Sequence, residues 1–381
     1  MDTQTIFTES IRHFLSPVVP LLDDTDISEV MINGFQTVYF EKSGRVALAE
    51  GVAFSSEKAL MAAAMNIAQF CNRRIGGDRH SMDARLPDGS RVHVIVPPCA
   101  RGGVTITIRK FKKSTFDLKQ LVAWNSMTSE VAEFLKIVVR LHKNLIVSGG
   151  TGSGKTSLLN ALSTEIPDNE RIVVIEDSSE LQLNQPHTVY LEAKPPLPDG
   201  TGAVTIRDLF VDSLRMRPDR IVVGEVRRGE ALDLVQSMIS GHDGAMTTVH
   251  ASTPRDAAVR LETLSMMSDV SIPVSVARTQ VASAIHLVVQ VSRLPDGSRR
   301  IVEIAECRGL DKNGNYRFGT IYAFERSGMD EQGKIIGKLC RTGRRPSFHE
   351  APQTEGFADL VAETEGIFSR HPKCETAERE A

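Results

Sequence analysis

The chain has few cysteines, and no two of them have the spacing of a metal site. Five cysteines are scattered through 381 residues without a Cys-x-x-Cys pair. This distribution indicates neither a zinc knuckle nor a redox dithiol, so buried or free thiols are the expectation and we predict that no zinc is bound. The five are Cys71, Cys99, Cys307, Cys340 and Cys374.

Long apolar runs and a large excess of one charge are also lacking. No stretch approaches the length of a membrane-spanning helix, and residues 1–17 lack the basic-then-apolar order of a signal peptide. The 45 Lys and Arg residues nearly balance the 48 Asp and Glu residues. This balance gives no electrostatic basis for a dedicated nucleic-acid binder. We expect a cytoplasmic protein that does not bind nucleic acid directly. A membrane-bound partner is compatible with this expectation.

What the chain does contain is a glycine-rich loop, Ser148–Thr156, that matches the pattern G-x-x-x-x-G-K-[ST]. A short apolar run typical of a buried strand precedes the loop, and leucines at helical spacing follow it. In this strand–loop–helix arrangement, backbone N–H groups and the positive end of the helix surround a phosphate chain. The alternative is a glycine-rich turn without a ligand.

The loop therefore predicts a nucleotide site whose cofactors are ATP and Mg²⁺. We expect Lys155 to reach the β- and γ-phosphates and the Thr156 hydroxyl to bind the metal ion. The predicted nucleotide-binding residues of the loop are Gly149, Gly150, Thr151, Gly152, Ser153, Gly154, Lys155 and Thr156.

Two domains are expected for a chain of this length. Residues 1–26 have a helical pattern, and residues 27–111 contain short strands and one helix, which predicts a small α+β domain. We place a linker at 112–124, a P-loop domain at 125–350 and a polar tail at 351–381. Apolar strands alternate with helices in the P-loop domain, which predicts an α/β fold with a parallel central sheet.

Acidic residues follow the apolar strands after the P-loop. Glu176 and Asp177 end one strand, Glu225 follows the next, and His250 follows a third. The carboxyl ends of parallel strands face the ligand crevice, where carboxylates can bind Mg²⁺ through water or orient an attacking water. His250 would lie within reach of the γ-phosphate. The alternatives are a helix cap for Asp177, a surface charge for Glu225 and a structural role for His250.

Several arginines are candidates for stabilising the charge of a transferred phosphoryl group. They are Arg85, Arg91 and Arg109 in the first domain and Arg215, Arg217, Arg227 and Arg228 in the second. Arg91 and Arg109 show no evident acidic partner at strand spacing, and Lys110, Lys112 and Lys113 crowd the following turn. This crowding predicts an anionic ligand nearby.

One heptapeptide, Arg-Leu-Pro-Asp-Gly-Ser-Arg, occurs at residues 85–91 and again at 293–299. Because the flanking sequences differ, we interpret it as the same hairpin turn used twice rather than as a duplicated domain. The second copy is expected to be only a turn in an edge meander.

The ordered motifs resemble those of the bacterial ATPases that drive type II and type IV secretion and pilus assembly. Four segments correspond to the Walker A, aspartate, Walker B and histidine boxes: the P-loop, Ile175–Leu181, Leu214–Arg227 and Gly241–Ala251. The chain most resembles the tight-adherence (Flp) pilus ATPases, often called CpaF, and the similarity extends over nearly all of residues 27–348.

The resemblance implies a RecA-like ATPase domain after a smaller N-terminal domain, and a homo-hexamer that acts on inner-membrane platform proteins. The protein would be cytoplasmic and peripheral to the inner membrane through these partners. The resemblance also implies that Glu176 and Glu225 are the box acids, His250 is the histidine-box residue, and Arg91 and Arg109 approach the phosphates.

Two departures from the family pattern bear on this interpretation. Arg228 stands where the family usually has glycine, and the tetracysteine module of type II members is absent from the sequence. The second departure favours the type IV or tight-adherence side. Three other functions stay open: a conjugation or effector-secretion ATPase, a nucleotide-gated scaffold with little turnover, and a RecA-type DNA motor.

Overall fold

The computed structural model describes residues 3–42, 44–111, 116–197, 200–364 and 367–368. They form two compact units. The first comprises the described residues of 1–114 and 196–202, and the second those of 115–195 and 203–381. Lys112 and Lys113 of the predicted linker lie outside the described residues, as do positions 369–381 of the predicted tail, including Cys374.

The first unit is a six-stranded antiparallel sheet with helices. Its elements are α1 (Thr3–Phe14), α2 (Val19–Asp23), β1 (Ile27–Asn33), β2 (Val38–Lys42), β3 (Arg45–Leu48), α3 (Glu57–Phe70), β4 (Ser81–Arg85), β5 (Arg91–Ile95) and β6 (Thr105–Arg109). The strand order is β3-β2-β1-β6-β5-β4. Ser56 caps α3, because its hydroxyl accepts a hydrogen bond from the Ala59 N–H at 3.2 Å.

Alternation along the strands of the first unit separates a core face from a polar face. Val92 and Val94 of β5 are buried, and so are Ile106 and Ile108 of β6. These residues pack in one cluster with Leu60 of α3. Since successive strand side chains point to opposite faces, the arginines at the ends of β5 and β6 lie on the other face of the sheet.

The second unit contains a nine-stranded mixed sheet with flanking helices. Its elements are α4 (Leu118–Ala123), α5 (Ser129–Arg140), β7 (Leu145–Gly149), α6 (Lys155–Ser163), β8 (Ile172–Glu176), β9 (Thr188–Glu192), α7 (Ile206–Ser213), β10 (Arg220–Val223), α8 (Glu230–Ile239), β11 (Met246–Val249), α9 (Pro254–Ser265), α10 (Val274–Ala284), β12 (Leu287–Arg293), β13 (Arg299–Leu310), β14 (Tyr316–Met329), β15 (Ile335–Arg341) and α11 (Ala351–Thr354).

The central part of this sheet is parallel, as predicted. The strand order is β15-β14-β13-β12-β7-β11-β10-β8-β9, with parallel pairing from β12 through β9 and antiparallel pairing from β12 to β15. Leu145 and Val147 pack into the core on one face of the sheet, and Ile146 packs into the core on the other. The α/β fold class, a RecA-like domain preceded by a smaller α+β domain, is confirmed.

Two segments that the sequence assigns to a linker and a tail contribute to the second unit. Helix α4 lies within the predicted linker, and its Leu118 and Leu121 are buried in the core. Phe368, from the predicted polar tail, is buried and stacks on Phe134 with ring centroids 5.6 Å apart. These differences arise because a few apolar side chains suffice to dock a short segment that shows no clear periodicity.

Candidate active site

The P-loop joins β7 to α6, as predicted. Gly154, immediately before α6, has φ +94°, a left-handed conformation that favours glycine. A Cβ at Gly149 would lie 2.5 Å from both the Ser153 Oγ and the Val291 carbonyl oxygen. The loop therefore requires glycine at these two positions, one for its backbone conformation and the other because the neighbouring strand approaches closely.

Side chains of the P-loop turn back onto its own backbone. The Ser153 hydroxyl donates to the Gly150 carbonyl at 2.8 Å, and the Lys155 ammonium donates to the same oxygen at 2.9 Å. The lysine thus lies over the loop at the start of α6, where a phosphate chain would meet it. Thr156, the second residue of α6, is partly exposed beside it.

Glu176 lies at the end of β8, where the sequence predicts it, and is 4% exposed. One of its carboxylate oxygens accepts the N–H groups of Glu180 at 2.9 Å and Leu181 at 3.0 Å. The side chain therefore holds the segment that follows β8. The alternative of Asp177 as a helix cap is wrong, because this segment contains no helix and leads directly to β9.

Glu225 lies beyond the end of β10 and forms an ion pair with Arg227. The Arg227 guanidinium donates to one Glu225 oxygen from Nη2 at 2.7 Å and from Nε at 3.0 Å. A third nitrogen, Nη1, lies 3.4 Å from Asp177. The hydrogen bond with Glu225 is the largest cause that raises the pKa of Arg227 above its ordinary value. Arg227 thus links the carboxyl ends of β10 and β8.

The backbone around Arg228 is held by Glu230, the first residue of α8, which is 7% exposed. Its carboxylate accepts the N–H groups of Arg227 at 2.7 Å and Arg228 at 2.9 Å. Arg228 does not adopt a positive φ. Arginine is therefore accommodated without backbone strain at this position, where the resemblance leads to an expectation of glycine.

His250 follows β11, as predicted, and is exposed. Strand β11 lies between β7 and β10, which places His250 at the carboxyl edge shared by the P-loop and Glu225. The next residue, Ala251, accepts hydrogen bonds through its carbonyl from the Ser148 hydroxyl at 3.4 Å and from the Gln290 amide at 3.2 Å. The position of Gln290 beside this segment was not predicted. The only feature of the sequence that marks Gln290 is that it is a polar residue within an apolar run.

The structure contradicts one premise for the first-domain arginines. Arg91 and Arg109 are directly opposed on β5 and β6, but Arg109 also lies opposite Glu29 of β1. Burial and the neighbouring Glu41 raise the pKa of Glu29, while Arg109 opposes this shift. An acidic residue therefore does face Arg109 at strand spacing, although it belongs to a strand distant in sequence.

The second heptapeptide is the first turn of the antiparallel meander β12–β15 at one side of the sheet, as predicted, but it is not only a turn. It joins β12 to β13, two inner strands, and β12 pairs with the P-loop strand β7. Its last residue, Arg299, donates from Nε to the Gly152 carbonyl at 2.9 Å. The repeated motif marks this segment in the sequence, but the position of the segment beside the P-loop depends on the order of the strands in the sheet.

In the part of the chain that the structure describes, no group of three or more His, Cys, Asp or Glu side chains is arranged to hold a metal ion. Within the same residues, no helix is both long enough and apolar enough to cross a lipid bilayer.

Comparisons with known proteins give matches over most of the chain. The family model for type II/IV secretion system proteins matches residues 13–324. A putative conjugal transfer protein of Mycobacterium tuberculosis is 32% identical over 329 residues, which cover 85% of this chain and 92% of the relative. The type IV secretion system protein PtlH of Bordetella pertussis is 35% identical over 335 residues, with coverages of 79% and 96%.

Solved structures share the fold. The Legionella pneumophila ATPase DotB aligns with a TM-score of 0.53 at 18% identity, covering 76% of this chain and 79% of that one. The pilus retraction motor PilT with bound ADP aligns with a TM-score of 0.52 at 17% identity, covering 80% and 82%.

Proposed function

This chain belongs to the type II/IV secretion system protein family, a family of ATPases, and we propose that it is a Mg²⁺-dependent ATP hydrolase that powers pilus assembly or protein export. The observation that carries the proposal is the position of Glu225 and His250. His250 follows β11, which pairs with the P-loop strand β7, and Glu225 follows β10, the next strand along the sheet, so both lie on the edge where Lys155 begins α6. A nucleotide held by the loop would place its terminal phosphate at this edge.

The P-loop residues would bind the phosphate chain. Lys155 exchanges its hydrogen bond to the Gly150 carbonyl for phosphate oxygens, which bear the opposite charge. The hydroxyl of Thr156 is the hard oxygen donor that suits Mg²⁺, and it stands in the first turn of α6. When bound, the ion would neutralise phosphate charge.

The acids and the histidine would act on the attacking water. Glu225 accepts a proton from this water or orients the water, while Arg227 holds the Glu225 carboxylate in place. Glu176 contributes a second carboxyl group, which is buried at the end of the neighbouring strand β8. His250 contacts the γ-phosphate or the water. We further propose that Arg91 and Arg109 of the first unit bind phosphate oxygens.

We place this activity in a motor. A homo-hexamer would hydrolyse ATP in the cytoplasm, peripheral to the inner membrane, and pass motion of the N-terminal domains to membrane platform proteins. ATP favours one domain arrangement, and loss of the γ-phosphate releases it. Tight-adherence pilus assembly is the specific role that we propose, without direct binding of nucleic acid.

A type IV secretion role, in conjugation or effector export, is the second candidate. The names of the relatives favour it, since they include a conjugal transfer protein and a type IV secretion protein. The near balance of charge counts against a DNA motor. The presence of Lys155, Glu225 and His250 counts against a scaffold without turnover. Identification of the neighbouring genes would separate the two transport roles.

Phosphate release by the purified protein tests the enzymatic proposal. Wild-type protein should hydrolyse ATP with Mg²⁺ and lose activity in excess EDTA. Lys155→Ala should reduce turnover to background, while Lys312→Ala, on an exposed turn, should match the parent. Equal turnover in the parent and Lys155→Ala would reject the site.

A further inference from the structure

Gln290 is a buried polar residue in an otherwise aliphatic part of β12. Its neighbours Val288, Val289 and Val291 are buried, and its own side chain is 4% exposed. The parallel register places Gln290 opposite Ser148, the residue directly before the first glycine of the P-loop. The amide is therefore enclosed beside the strand that leads into the nucleotide site.

The amide of Gln290 uses only one of its two polar atoms. Its Nε2 donates to the Ala251 carbonyl at 3.2 Å, whereas its Oε1 is buried and accepts no hydrogen bond from any residue that the structure describes. A buried acceptor without a donor costs free energy, which an apolar side chain of similar volume would avoid. The Ala251 carbonyl would still have the Ser148 hydroxyl as a donor, at 3.4 Å. Stability therefore does not account for an amide at this position.

The contact with the Ala251 carbonyl is one of two that hold the segment Thr248–Ala251, which contains His250. At the other end of this segment, the buried Thr248 hydroxyl donates to the Gly224 carbonyl at 2.8 Å, and the Thr248 carbonyl accepts the Val226 N–H at 3.1 Å. These two partners flank the acid that follows β10. The main chain before His250 is thus tied to that acid, and the main chain after it is tied to β12 and the P-loop strand.

The position of the His250 ring depends on this backbone, because the side chain itself is exposed at the edge of the sheet. A group that acts on a phosphate or a water must be held close to its productive position, and a displacement of about 1 Å can cost a factor of up to about 100 in rate. The two contacts that fix the segment Thr248–Ala251 therefore bear on the chemistry without touching the nucleotide.

We propose that Gln290 is a positioning residue for His250, and that it acts by holding the Ala251 carbonyl beside the P-loop strand. The inference rests on the proposed function, in which His250 contacts the γ-phosphate or the attacking water, and adds to it one residue that acts through the backbone. The amide fixes the chain after His250, while Thr248 fixes the chain before it. The ring is thereby held in place before the transition state forms.

Gln290→Met tests this role, because methionine is similar in size but cannot donate to the Ala251 carbonyl. We expect kcat for ATP hydrolysis to fall about tenfold and the dissociation constant for ADP to stay within about twofold of the parent value. The midpoint of denaturant unfolding should not fall, because the unpaired acceptor is removed together with the donor.

Gln185→Met is the matched control. Gln185 is also buried and also has an unpaired Oε1 among the described residues, but its Nε2 donates to the Ser163 and Ile166 carbonyls at the far end of α6. The kcat of this variant should match that of the parent. Equal kcat values in Gln290→Met and Gln185→Met would overturn the inference. An equal loss of kcat and ADP affinity in Gln290→Met would assign Gln290 to support of the P-loop strand and would overturn it too.

His250→Ala identifies the residue through which Gln290 acts. If the two residues share one role, Gln290→Met should change kcat less than about twofold in the His250→Ala background, although it costs about tenfold in the parent. Losses that multiply in the double variant would overturn the inference and leave the proposed role of His250 intact. Parental turnover in His250→Ala would overturn that proposed role, and the inference with it.

Discussion

The guanidinium of Arg227 donates two hydrogen bonds to a single carboxylate oxygen of Glu225, at 2.7 and 3.0 Å. A charge-assisted contact of this kind, made through two guanidinium nitrogens, holds the carboxylate in position. Glu225 is thus oriented before any nucleotide arrives. The link continues to Asp177 on the neighbouring strand, so the acidic edge of the sheet is held together by one cation.

Glu225→Gln should separate nucleotide binding from hydrolysis. The change is nearly isosteric but removes the charge that accepts or orients a proton, so we expect kcat to fall about 100-fold. The calorimetric affinity for ATP should stay close to that of the parent. Glu331→Gln, on an exposed turn, is the control. Parental turnover in the Glu225 variant would reduce this residue to a structural role.

Arg227→Ala should lower kcat about tenfold with little change in KM, because Glu225 loses the hydrogen bonds that orient it. Arg228→Ala is the matched control, since the Arg228 side chain is exposed and only its backbone N–H makes the contact with Glu230. Steady-state kinetics on both variants provide the measurement. Equal kcat values in the two variants would show that Glu225 does not need Arg227.

Arg109→Ala and Arg91→Ala should weaken ATP binding more than ADP binding and lower turnover, if these side chains bind the terminal phosphate. Arg45→Ala, at an edge strand of the same sheet, is the control. Glu29→Gln removes the carboxylate opposite Arg109. This variant therefore distinguishes phosphate binding by Arg109 from a local ion pair between Arg109 and Glu29. Unchanged affinities in both arginine variants would make them bystanders.

A buried ion pair in the second unit should make stability depend on pH. Burial would raise the pKa of Glu170, but hydrogen bonds from His142 and the buried Arg220 outweigh it and lower the pKa to about 2. The stabilisation is therefore complete above the ordinary value near 4.5 and is lost as pH falls from there towards 2. It is on the order of 3 kcal/mol.

Glu170→Gln should consequently destabilise the protein by a few kcal/mol at pH 7, because Arg220 is left buried without its counter-charge. Denaturant unfolding at pH 7 and at pH 3.5 provides the measurement. The difference in unfolding free energy between Glu170→Gln and the parent should be smaller at pH 3.5 than at pH 7. Asp168→Asn, at an exposed position of the same loop, should have the same unfolding free energy as the parent. A difference that does not vary with pH would contradict the assignment.

The P-loop and the ends of its neighbouring strands could be predicted because their signals are local. The turn at Gly154 and the strand formed by the apolar run before the loop each depend on residues that lie within a few positions of each other in the sequence. The same holds for Glu225 and His250, which directly follow apolar strands. Local backbone preference and side-chain periodicity are properties of a short stretch, so the chain alone determines them.

The contacts between these stretches depended on tertiary structure. The pairing of β12 with β7 places Arg299 on the P-loop, and the pairing of β10 with β8 brings Arg227 to Asp177. Packing of α5 against the end of the chain places Phe368 on Phe134. Strand order and docking are decided by which distant apolar surfaces are buried together, and no local pattern in the sequence encodes that choice.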